Sequence, residues 1–535
     1  MSNEDNDENE VFWPIIYVRG YAMTRGEIDA TTEDPFCGFN LGSTVVRATP
    51  DEKSAPRKFI FESPLVRLRS DFGYGDVYED GIDIVDPDWT GTIPTRSVII
   101  YRYYDPASTF LGSGKTPKIE EFAKGLSTLI LKVRDLVCAD PENDVQPKDF
   151  RCYLVAHSMG GLVCRAFLQN EALGSQLARR CVDKFFTYAT PHNGIDLIGT
   201  NVPEWLAAND VNNFSRERMA KYLSLEPIYK KTKRVDWIPE EQFPSEKVFC
   251  MVATNRGDYD AAAGLSRTFA GNGSDGLVRV ANASVWGVNA RGAFSAPSAT
   301  AYAFRSHSGR YGIVNSEEAY QNLVRFLFGD VRVDLWCDVE GVRVPEELEA
   351  ADAKGDVNAL YQFEVLAAPR GKRWFLTRRV VEEDSVACRS HVELKKATAK
   401  KPESIYLSTI FLANRYRVNP KRVTLAYSLT LGVRAPDYEV KKRFWPDRHY
   451  EGEYLFRDSV VLELTPPDQD GGDWQVCYDW QSDNVGQATT PVSSKALKGG
   501  KVEVTIPFWT KDATPPRSPG IDGKLRFVIS RWNAA

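Results

Sequence analysis

The stretch Leu154-Val155-Ala156-His157-Ser158-Met159-Gly160-Gly161 joins an apolar run to a segment of small residues. This order predicts a buried strand that ends in a tight turn and continues as a helix, with Ser158 on the turn. The strand and the helix cross closely there, so only small residues fit two positions before and after the serine. Ala156 and Gly160 meet that demand. The pattern also occurs by chance in loops, so the surrounding elements have to support Ser158 as a nucleophile.

The chain on both sides of this turn alternates between apolar runs and helical periodicity. Apolar runs predict buried strands at residues 15–18, 98–101, 152–156, 184–189 and 248–253. Helices are predicted over residues 119–137, 159–168 and about 316–328. The last helix is expected to open with a capping pattern of Asn315 and Glu318. The alternation predicts an α/β fold with a mostly parallel sheet, helices on both faces, and ligands at the carboxyl ends of the strands.

The residue pattern changes after residue 330. Short segments of alternating apolar and polar residues, separated by turns, predict an all-β, sandwich-like domain over residues 331–535. Residues 11–330 then form the α/β catalytic domain. Residues 1–10 include five acidic groups and no apolar run, which predicts an acidic disordered tail.

An insertion at about residues 195–246 interrupts the α/β pattern between two predicted strands. It carries aromatic residues among many charges, including Trp205, Phe214 and Tyr222. The sequence predicts a helical cap over the sheet edge. Two arrangements fit these aromatic residues: a lid that moves, or an ordinary helical excursion that packs them into a small core of its own.

The composition argues against several classes of partner. Lysine and arginine number 67 against 73 aspartates and glutamates, a net charge of −6, so no excess of cations is available for a nucleic-acid backbone. We see neither a segment of transmembrane length nor a signal peptide, so we expect a cytoplasmic protein, and export by a signal-independent route fits the same sequence. The nine cysteines show no disulfide framework or zinc-ligand spacing, and we expect no metal and no cofactor.

A serine nucleophile needs a histidine base, and the chain has only five histidines. His157 lies in the turn beside the serine, where its side chain should point away from the hydroxyl. His192 directly follows a buried strand, and His391 and His449 belong to the second domain as structural or surface residues. His307 is left, on a polar loop before the last predicted helix. We therefore predict His307 as the base.

The third member of such a site is a carboxylate that orients the imidazole. Asp275 follows the strand at 248–253 and precedes His307, which gives the chain order Ser, Asp, His expected for this kind of sheet. Asp258 and Asp260 are rivals because they lie closer to the end of that strand. We favour Asp275 as the acid.

A tetrahedral intermediate also needs donors for its negatively charged oxygen. Two backbone amides are candidates, one from Met159 directly after the nucleophile and one from Tyr21 directly after Gly20 at the end of the first strand. We therefore predict an oxyanion hole formed by the amides of Tyr21 and Met159.

Residues 11–330 resemble an α/β-hydrolase of the lipase/esterase type. Four stretches carry the resemblance, namely Val18-Arg19-Gly20-Tyr21, Ala156-His157-Ser158-Met159-Gly160-Gly161, Thr190-Pro191-His192-Asn193-Gly194 and Asp275-Gly276-Leu277-Val278. The set is similar to that of bacterial lipases and of the branch that includes GPI inositol-deacylases. The resemblance implies Ser158 as nucleophile, Asp275 as acid and His307 as base, without a cofactor.

Two residues depart from the pattern of that family. Arg19 replaces the usual histidine before Gly20, which leaves the amide of Tyr21 in place but removes a side chain that often braces the loop. Ala156 replaces the commoner glycine, a change that the steric argument tolerates. The resemblance therefore implies the chemistry but says little about the substrate.

The sequence leads to a serine carboxylic-ester hydrolase that cleaves apolar acyl or lipid esters through a covalent acyl-enzyme on Ser158. The aromatic residues of the insertion favour an apolar substrate, and transient contact with a membrane surface is compatible with it. One alternative is a phospholipase effector or toxin of the same fold. Another is a catalytically silent scaffold whose β-domain binds a partner.

Overall fold

The structure is a computed structural model. It describes residues 12–20, 43–47, 57–61, 63–79, 82–83, 91–103, 118–195, 211–256, 273–308, 311–440, 448–467, 472–486, 488–509 and 517–533. The predicted tail at residues 1–10 lies outside these ranges. The chain divides into two compact units, one of residues 1–298 and 305–320, the other of residues 299–304 and 321–535. The domain boundaries predicted from the sequence stay predictions.

A parallel sheet of seven strands carries the predicted α/β pattern. The strands are β1 (Ile15–Val18), β2 (Gly75–Asp76), β3 (Ser97–Tyr101), β4 (Cys152–His157), β5 (Val182–Tyr188), β6 (Val248–Ala253) and β7 (Ala299–Ala303). Their order across the sheet is β7-β6-β5-β4-β1-β3-β2. Strand β1 pairs in parallel with both β3 and β4, and β5 pairs in parallel with β4 and β6. The predicted apolar runs thus lie side by side in the centre of the sheet, where both faces are buried.

Helices connect the strands. They are α1 (Pro64–Phe72), α2 (Ile119–Ala139), α3 (Met159–Gln169), α4 (Gln176–Cys181), α5 (Arg216–Tyr222), α6 (Glu226–Thr232) and α7 (Glu317–Phe328). Of these, α2, α3 and α7 correspond to the three helices predicted from the sequence. Helix α2 buries Phe122, Leu126 and Ile130 along one stripe, as expected for a helix with one apolar face. Helix α3 is buried along its whole length, from the turn at Ser158 onward.

The start of α7 differs from the expected cap. The hydroxyl of Ser316 accepts a hydrogen bond from the amide of Ala319 at 3.2 Å, so Ser316 is the capping residue instead of Asn315. The carboxylate of Glu318 does not complete a capping box, because it pairs with Arg305 at 3.0 Å.

The described part of the predicted cap, residues 211–246, contains α5, α6 and the short strand Trp237–Pro239. Phe214, Tyr222 and Leu223 are buried in the same hydrophobic core as helices α2 and α3. These residues therefore pack into the main core of the first unit and do not form a separate small one. Trp205 lies outside the described residues.

Antiparallel sheets fill the second half of the chain. Their longer strands are β8 (Val331–Arg343), β9 (Val357–Pro369), β10 (Glu403–Leu412), β11 (Leu425–Arg434), β12 (Tyr454–Thr465), β13 (Gln475–Trp480), β14 (Val502–Trp509) and β15 (Gly520–Arg531). One sheet of five strands contains β10-β8-β15-β14, and one of nine contains β9-β11-β12-β13. Both sheets contribute side chains to one core. The predicted fold class, a parallel α/β sheet followed by an all-β region, is confirmed.

The helices leave no candidate for a membrane span. Within the described residues, none combines the length and the apolar character that a transmembrane helix needs.

Candidate active site

Ser158 sits on a sharp turn between β4 and α3. Its backbone has φ 52° and ψ −125°, a region that L-residues rarely adopt, and its amide donates to the carbonyl of Tyr188 at 2.9 Å. Such a conformation costs about 1–3 kcal/mol and persists only where the surroundings impose it. The turn predicted from the sequence is therefore present in its strained form, with the serine at its apex.

The crossing of α3 over the sheet explains the small residue at position 160. A Cβ atom at Gly160 would lie 2.3 Å from the carbonyl oxygen of Val18 and 2.4 Å from that of Arg19. These are backbone atoms at the end of β1, and they cannot move aside without displacing the strand. The requirement for a small residue two positions after Ser158 is confirmed.

The structure brings together the three side chains predicted to act in catalysis. Nε2 of His307 lies 2.9 Å from Oγ of Ser158, and Nδ1 of His307 lies 2.9 Å from Oδ2 of Asp275. All three side chains are buried, with 5% or less of their surface exposed. Because a carboxylate only accepts hydrogen bonds, Nδ1 carries the proton and Nε2 is left to accept the proton of the serine.

Asp275 is held by the backbone around it. Its Oδ1 accepts hydrogen bonds from the amides of Leu277 at 2.9 Å and Val278 at 2.7 Å, which leaves Oδ2 directed at His307. The amide of His307 also donates to the carbonyl of Asp275 at 3.1 Å. The loops that carry Asp275 and His307 are therefore fixed to each other through both backbone and side chain. The rivals Asp258 and Asp260 lie outside the described residues.

Of the two predicted oxyanion donors, the structure describes Met159. Met159 is the first residue of α3, and the first amides of a helix have no partner within the helix, so they are available to an anion. The amide of Gly161, two residues further on, already donates to the carbonyl of Ser158 at 3.0 Å. Tyr21 lies outside the described residues, but Gly20 before it is described.

Gly20 packs directly against the serine turn. A Cβ atom at this position would lie 2.7 Å from Cβ of Ser158 and 3.0 Å from Nδ1 of His157. The close approach leaves space only for a glycine two residues after the end of β1, beside Ser158. The stretch Arg19-Gly20 thus borders the turn of Ser158, and the oxyanion role of Tyr21 stays a prediction.

His157 lies beside His307, although its position in the sequence predicts no contact with the base. Its Nε2 lies 2.9 Å from the carbonyl oxygen of His307, to which it donates, and the two imidazole rings lie 5.0 Å apart. Burial, the neighbouring His307 and the cation of Arg19 lower the pKa of His157 well below its usual value. A neutral His157 ring can therefore donate to the backbone of His307 without adding a positive charge to that of Arg19.

His192 has a structural environment. It is fully buried, its Nε2 lies 3.2 Å from Oγ1 of Thr187, and its carbonyl accepts a hydrogen bond from Arg165 at 2.9 Å. Burial and the charge of Arg165 lower its pKa well below the usual value. These contacts support the interpretation of His192 as a marker of the strand end.

The two histidines of the β-region lie away from these residues in the sequence and have their own contacts. His391 is buried, with Nε2 2.8 Å from Oδ1 of Asp352 and Nδ1 3.1 Å from the hydroxyl of Tyr361. His449 lies on the strand Arg448–Glu451 and pairs in register with Glu439. The partners of His391 come from distant segments, so the sequence did not reveal them.

Nothing in the described ranges suggests a metal site, since no group of three or more histidine, cysteine, aspartate or glutamate side chains is placed to hold an ion.

No protein-family model matches the sequence, and no curated protein matches it. Among solved structures, phospholipase PlaB from Legionella pneumophila is 13% identical, with a TM-score of 0.33 over 82% of this chain and 90% of that chain. Lipase BlEst2 from Bacillus licheniformis in its propeptide form is 12% identical, with a TM-score of 0.31 over 86% of this chain and 95% of that chain. At these scores the fold assignment rests on the strand order and register given above.

Proposed function

We propose that this protein is a serine hydrolase of carboxylic esters. One observation carries the proposal: an unbroken chain of hydrogen bonds runs from Oγ of Ser158 through His307 to Asp275, on a strained turn at the start of a helix. This arrangement turns a weakly nucleophilic hydroxyl into an activated one.

In the first half of the reaction, Oγ of Ser158 attacks the carbonyl carbon of the ester while Nε2 of His307 takes up the hydroxyl proton. The carbonyl oxygen gains the negative charge, and the amide of Met159, together with the predicted donor Tyr21, stabilises it. Collapse of the intermediate breaks the bond to the alcohol, which leaves with the proton from His307. Ser158 then carries the acyl group.

In the second half, a water molecule replaces the alcohol. Nε2 of His307 takes a proton from the water as its oxygen attacks the acyl-enzyme, and then returns the proton to Oγ of Ser158 as the acid leaves. Asp275 keeps the imidazole in one tautomer and stabilises its positive charge in both halves. The net reaction consumes one ester and one water, and it yields one acid and one alcohol.

The narrower part of the proposal is an apolar acyl group or a lipid ester as substrate. It rests on the aromatic residues of the insertion, among which Phe214 and Tyr222 are buried in the core. These two residues hold the insertion in place, and any direct contact of the insertion with an acyl chain would come from other residues. The proposal also includes that the protein works in the cytoplasm and that its reaction needs no cofactor.

A substrate panel tests the proposal. Purified protein and its Ser158→Ala variant should be assayed on short-chain esters, on triacylglycerols and on phospholipid vesicles. We expect hydrolysis by the native protein and none above background by the variant. Activity on phospholipid alone would identify a phospholipase. Equal rates for native protein and variant on every substrate would leave a non-catalytic scaffold and contradict the proposal.

A further inference from the structure

A buried tyrosine contacts the glycine-containing stretch beside the nucleophile. Tyr103 lies two residues beyond the end of β3 and is only 3% exposed. Its hydroxyl donates to the carbonyl oxygen of Arg19 at 2.5 Å, and the carbonyl oxygen of Gly20 lies 3.2 Å away as a second acceptor. The phenol thus spans from the end of one parallel strand to the end of its neighbour.

The ring of Tyr103 is itself held firmly. It packs against Phe122 of helix α2 with ring centroids 4.6 Å apart, and against Tyr101 with centroids 5.4 Å apart. Burial between two aromatic rings leaves the ring little freedom to turn. Its hydroxyl is therefore a fixed point against which the backbone of residues 19 and 20 is positioned.

The backbone that Tyr103 holds matters for the proposed reaction because Gly20 packs against the serine turn. A Cβ atom at Gly20 would lie 2.7 Å from Cβ of Ser158, so a shift of this backbone changes its contact with that turn. The residue predicted to donate to the oxyanion follows Gly20 in the sequence. The hydrogen bond from Tyr103 to the carbonyls of Arg19 and Gly20 therefore fixes the backbone that lies beside Ser158.

We propose that Tyr103 is a positioning residue that holds the backbone of Arg19 and Gly20 against the turn of Ser158, an inference that rests on the proposed hydrolase function. The residue before Gly20 is Arg19, so the chain lacks the histidine that the resemblance leads one to expect there. Tyr103, just beyond the end of the neighbouring strand β3, holds this backbone through its hydroxyl instead. Its hydroxyl bonds to the carbonyls of Arg19 and Gly20, so its effect reaches the reaction through the backbone.

The neighbouring Tyr101 provides a matched control. Its hydroxyl donates to the carbonyl of Phe122 at 2.8 Å, so this bond ties β3 to helix α2 and not to Arg19 and Gly20. Gly125 leaves the space that this hydroxyl occupies, since a Cβ atom there would lie 2.3 Å from it. Tyr101→Phe and Tyr103→Phe each remove one hydroxyl from the same aromatic cluster and keep the ring.

The test compares the native protein with these two variants on a soluble short-chain ester. We expect Tyr103→Phe to lower kcat about tenfold, the size of one neutral hydrogen bond, with KM unchanged. It should also raise the inhibition constant of a trifluoromethyl ketone by the same factor, because this inhibitor forms the same oxyanion on Ser158. Tyr101→Phe should leave kcat and the inhibition constant within twofold of native values, with a similar or larger loss of Tm.

Two results would overturn the inference while leaving the hydrolase proposal intact. One is an unchanged kcat in Tyr103→Phe, and the other is an equal loss of kcat in both variants, in step with their loss of Tm. A native protein that hydrolyses no ester and does not bind the ketone would instead overturn the hydrolase proposal, and the inference with it.

Discussion

Among the described side chains, two buried imidazoles each lie between a hydroxyl and a carboxylate. In the first unit, His307 lies 2.9 Å from both Ser158 and Asp275. In the second unit, His391 lies 3.1 Å from Tyr361 and 2.8 Å from Asp352. The distances are similar, so the pattern of hydrogen bonds does not by itself distinguish an active site from a structural cluster.

The hydroxyls of Ser158 and Tyr361 differ in their surroundings. Ser158 is on a strained turn, next to the first amide of a helix and beside Gly20. Tyr361 is in the middle of strand β9 and has no exposed surface. Burial and the nearby Tyr438 raise the pKa of Tyr361 far above its usual value, so its phenol keeps its proton.

The two carboxylates differ as well. Asp275 is fixed by two backbone amides, while Asp352 accepts hydrogen bonds from His391 and from the cation of Lys395 at 2.7 Å. Burial favours the neutral acid at Asp352, but the bonds from Lys395 and His391 outweigh it and lower its pKa. The second cluster therefore ties the short helix His391–Leu394 to strand β9, whereas the first holds the hydroxyl of Ser158 against an imidazole at the start of a helix.

The largest effect should come from removing the two hydroxyls. Ser158→Ala should lower kcat for ester hydrolysis by about 10⁶-fold, as expected when the nucleophile of a triad is lost. Tyr361→Phe should leave kcat within twofold and lower the free energy of unfolding by about 1 kcal/mol, the worth of one hydrogen bond. Steady-state rates give kcat for both variants, and thermal unfolding gives their stability. A loss of kcat in Tyr361→Phe as large as that in Ser158→Ala would contradict the difference between the two clusters.

The carboxylates give the next comparison. Asp275→Asn should lower kcat by about 10⁴-fold, because an amide at this position favours the wrong tautomer of His307. Asp352→Asn should change stability and leave kcat at the native value. Pre-steady-state acylation rates with a chromogenic ester report on the first variant directly. Full activity of Asp275→Asn would reassign the acid to Asp258 or Asp260.

A smaller effect should follow from crowding the backbone beside Ser158. Gly20→Ala places a methyl group 2.7 Å from Cβ of Ser158, so the stretch must move away and the oxyanion donor with it. We expect a loss of about 10²–10³ in kcat, the range for one lost donor. Gly341→Ala is the control in the β-region, because a Cβ atom there meets nothing within 4 Å. Equal activity of the two variants would contradict the role of the Gly20 backbone.

The smallest effect concerns pH and stability. His192 is neutral in the folded protein because burial and Arg165 lower its pKa, whereas an unfolded histidine titrates near 6.5. Below about pH 6.5 the unfolded chain therefore binds more protons, and stability falls as the pH drops, by at most about 1.4 kcal/mol per pH unit for this ring. His192→Gln should flatten the decline of Tm between pH 7 and pH 5. An unchanged slope would show that His192 is protonated in the folded state.

Much of the first cluster was predictable, because its residue types follow from the chemistry. The small residues around Ser158 follow from the crossing of strand and helix, and His307 follows by elimination among five histidines. The predicted strands and helices differ from the observed ones by a few residues at their ends. Asn315 was expected to cap α7 in place of Ser316, because both are good capping residues and they are neighbours in the chain.

The contacts that were missed all involve backbone carbonyls or distant segments. His157 and Tyr103 donate to the carbonyls of His307 and Arg19, and a carbonyl accepts equally well whatever its side chain. His391 lies 39 residues from its partner Asp352 along the chain. Contacts of this kind leave no pattern in a single sequence, so only the folded structure reveals them.

Labelling with a fluorophosphonate probe tests most directly the claim that Ser158 is the reactive hydroxyl. The probe phosphonylates an activated serine with loss of fluoride, and mass spectrometry of the digested protein locates the adduct. We predict one adduct, on the peptide that contains Ser158, present in native protein and in Tyr361→Phe and absent from Ser158→Ala. A native protein that stays unlabelled while a known serine hydrolase reacts, or an adduct on another residue, would contradict the claim.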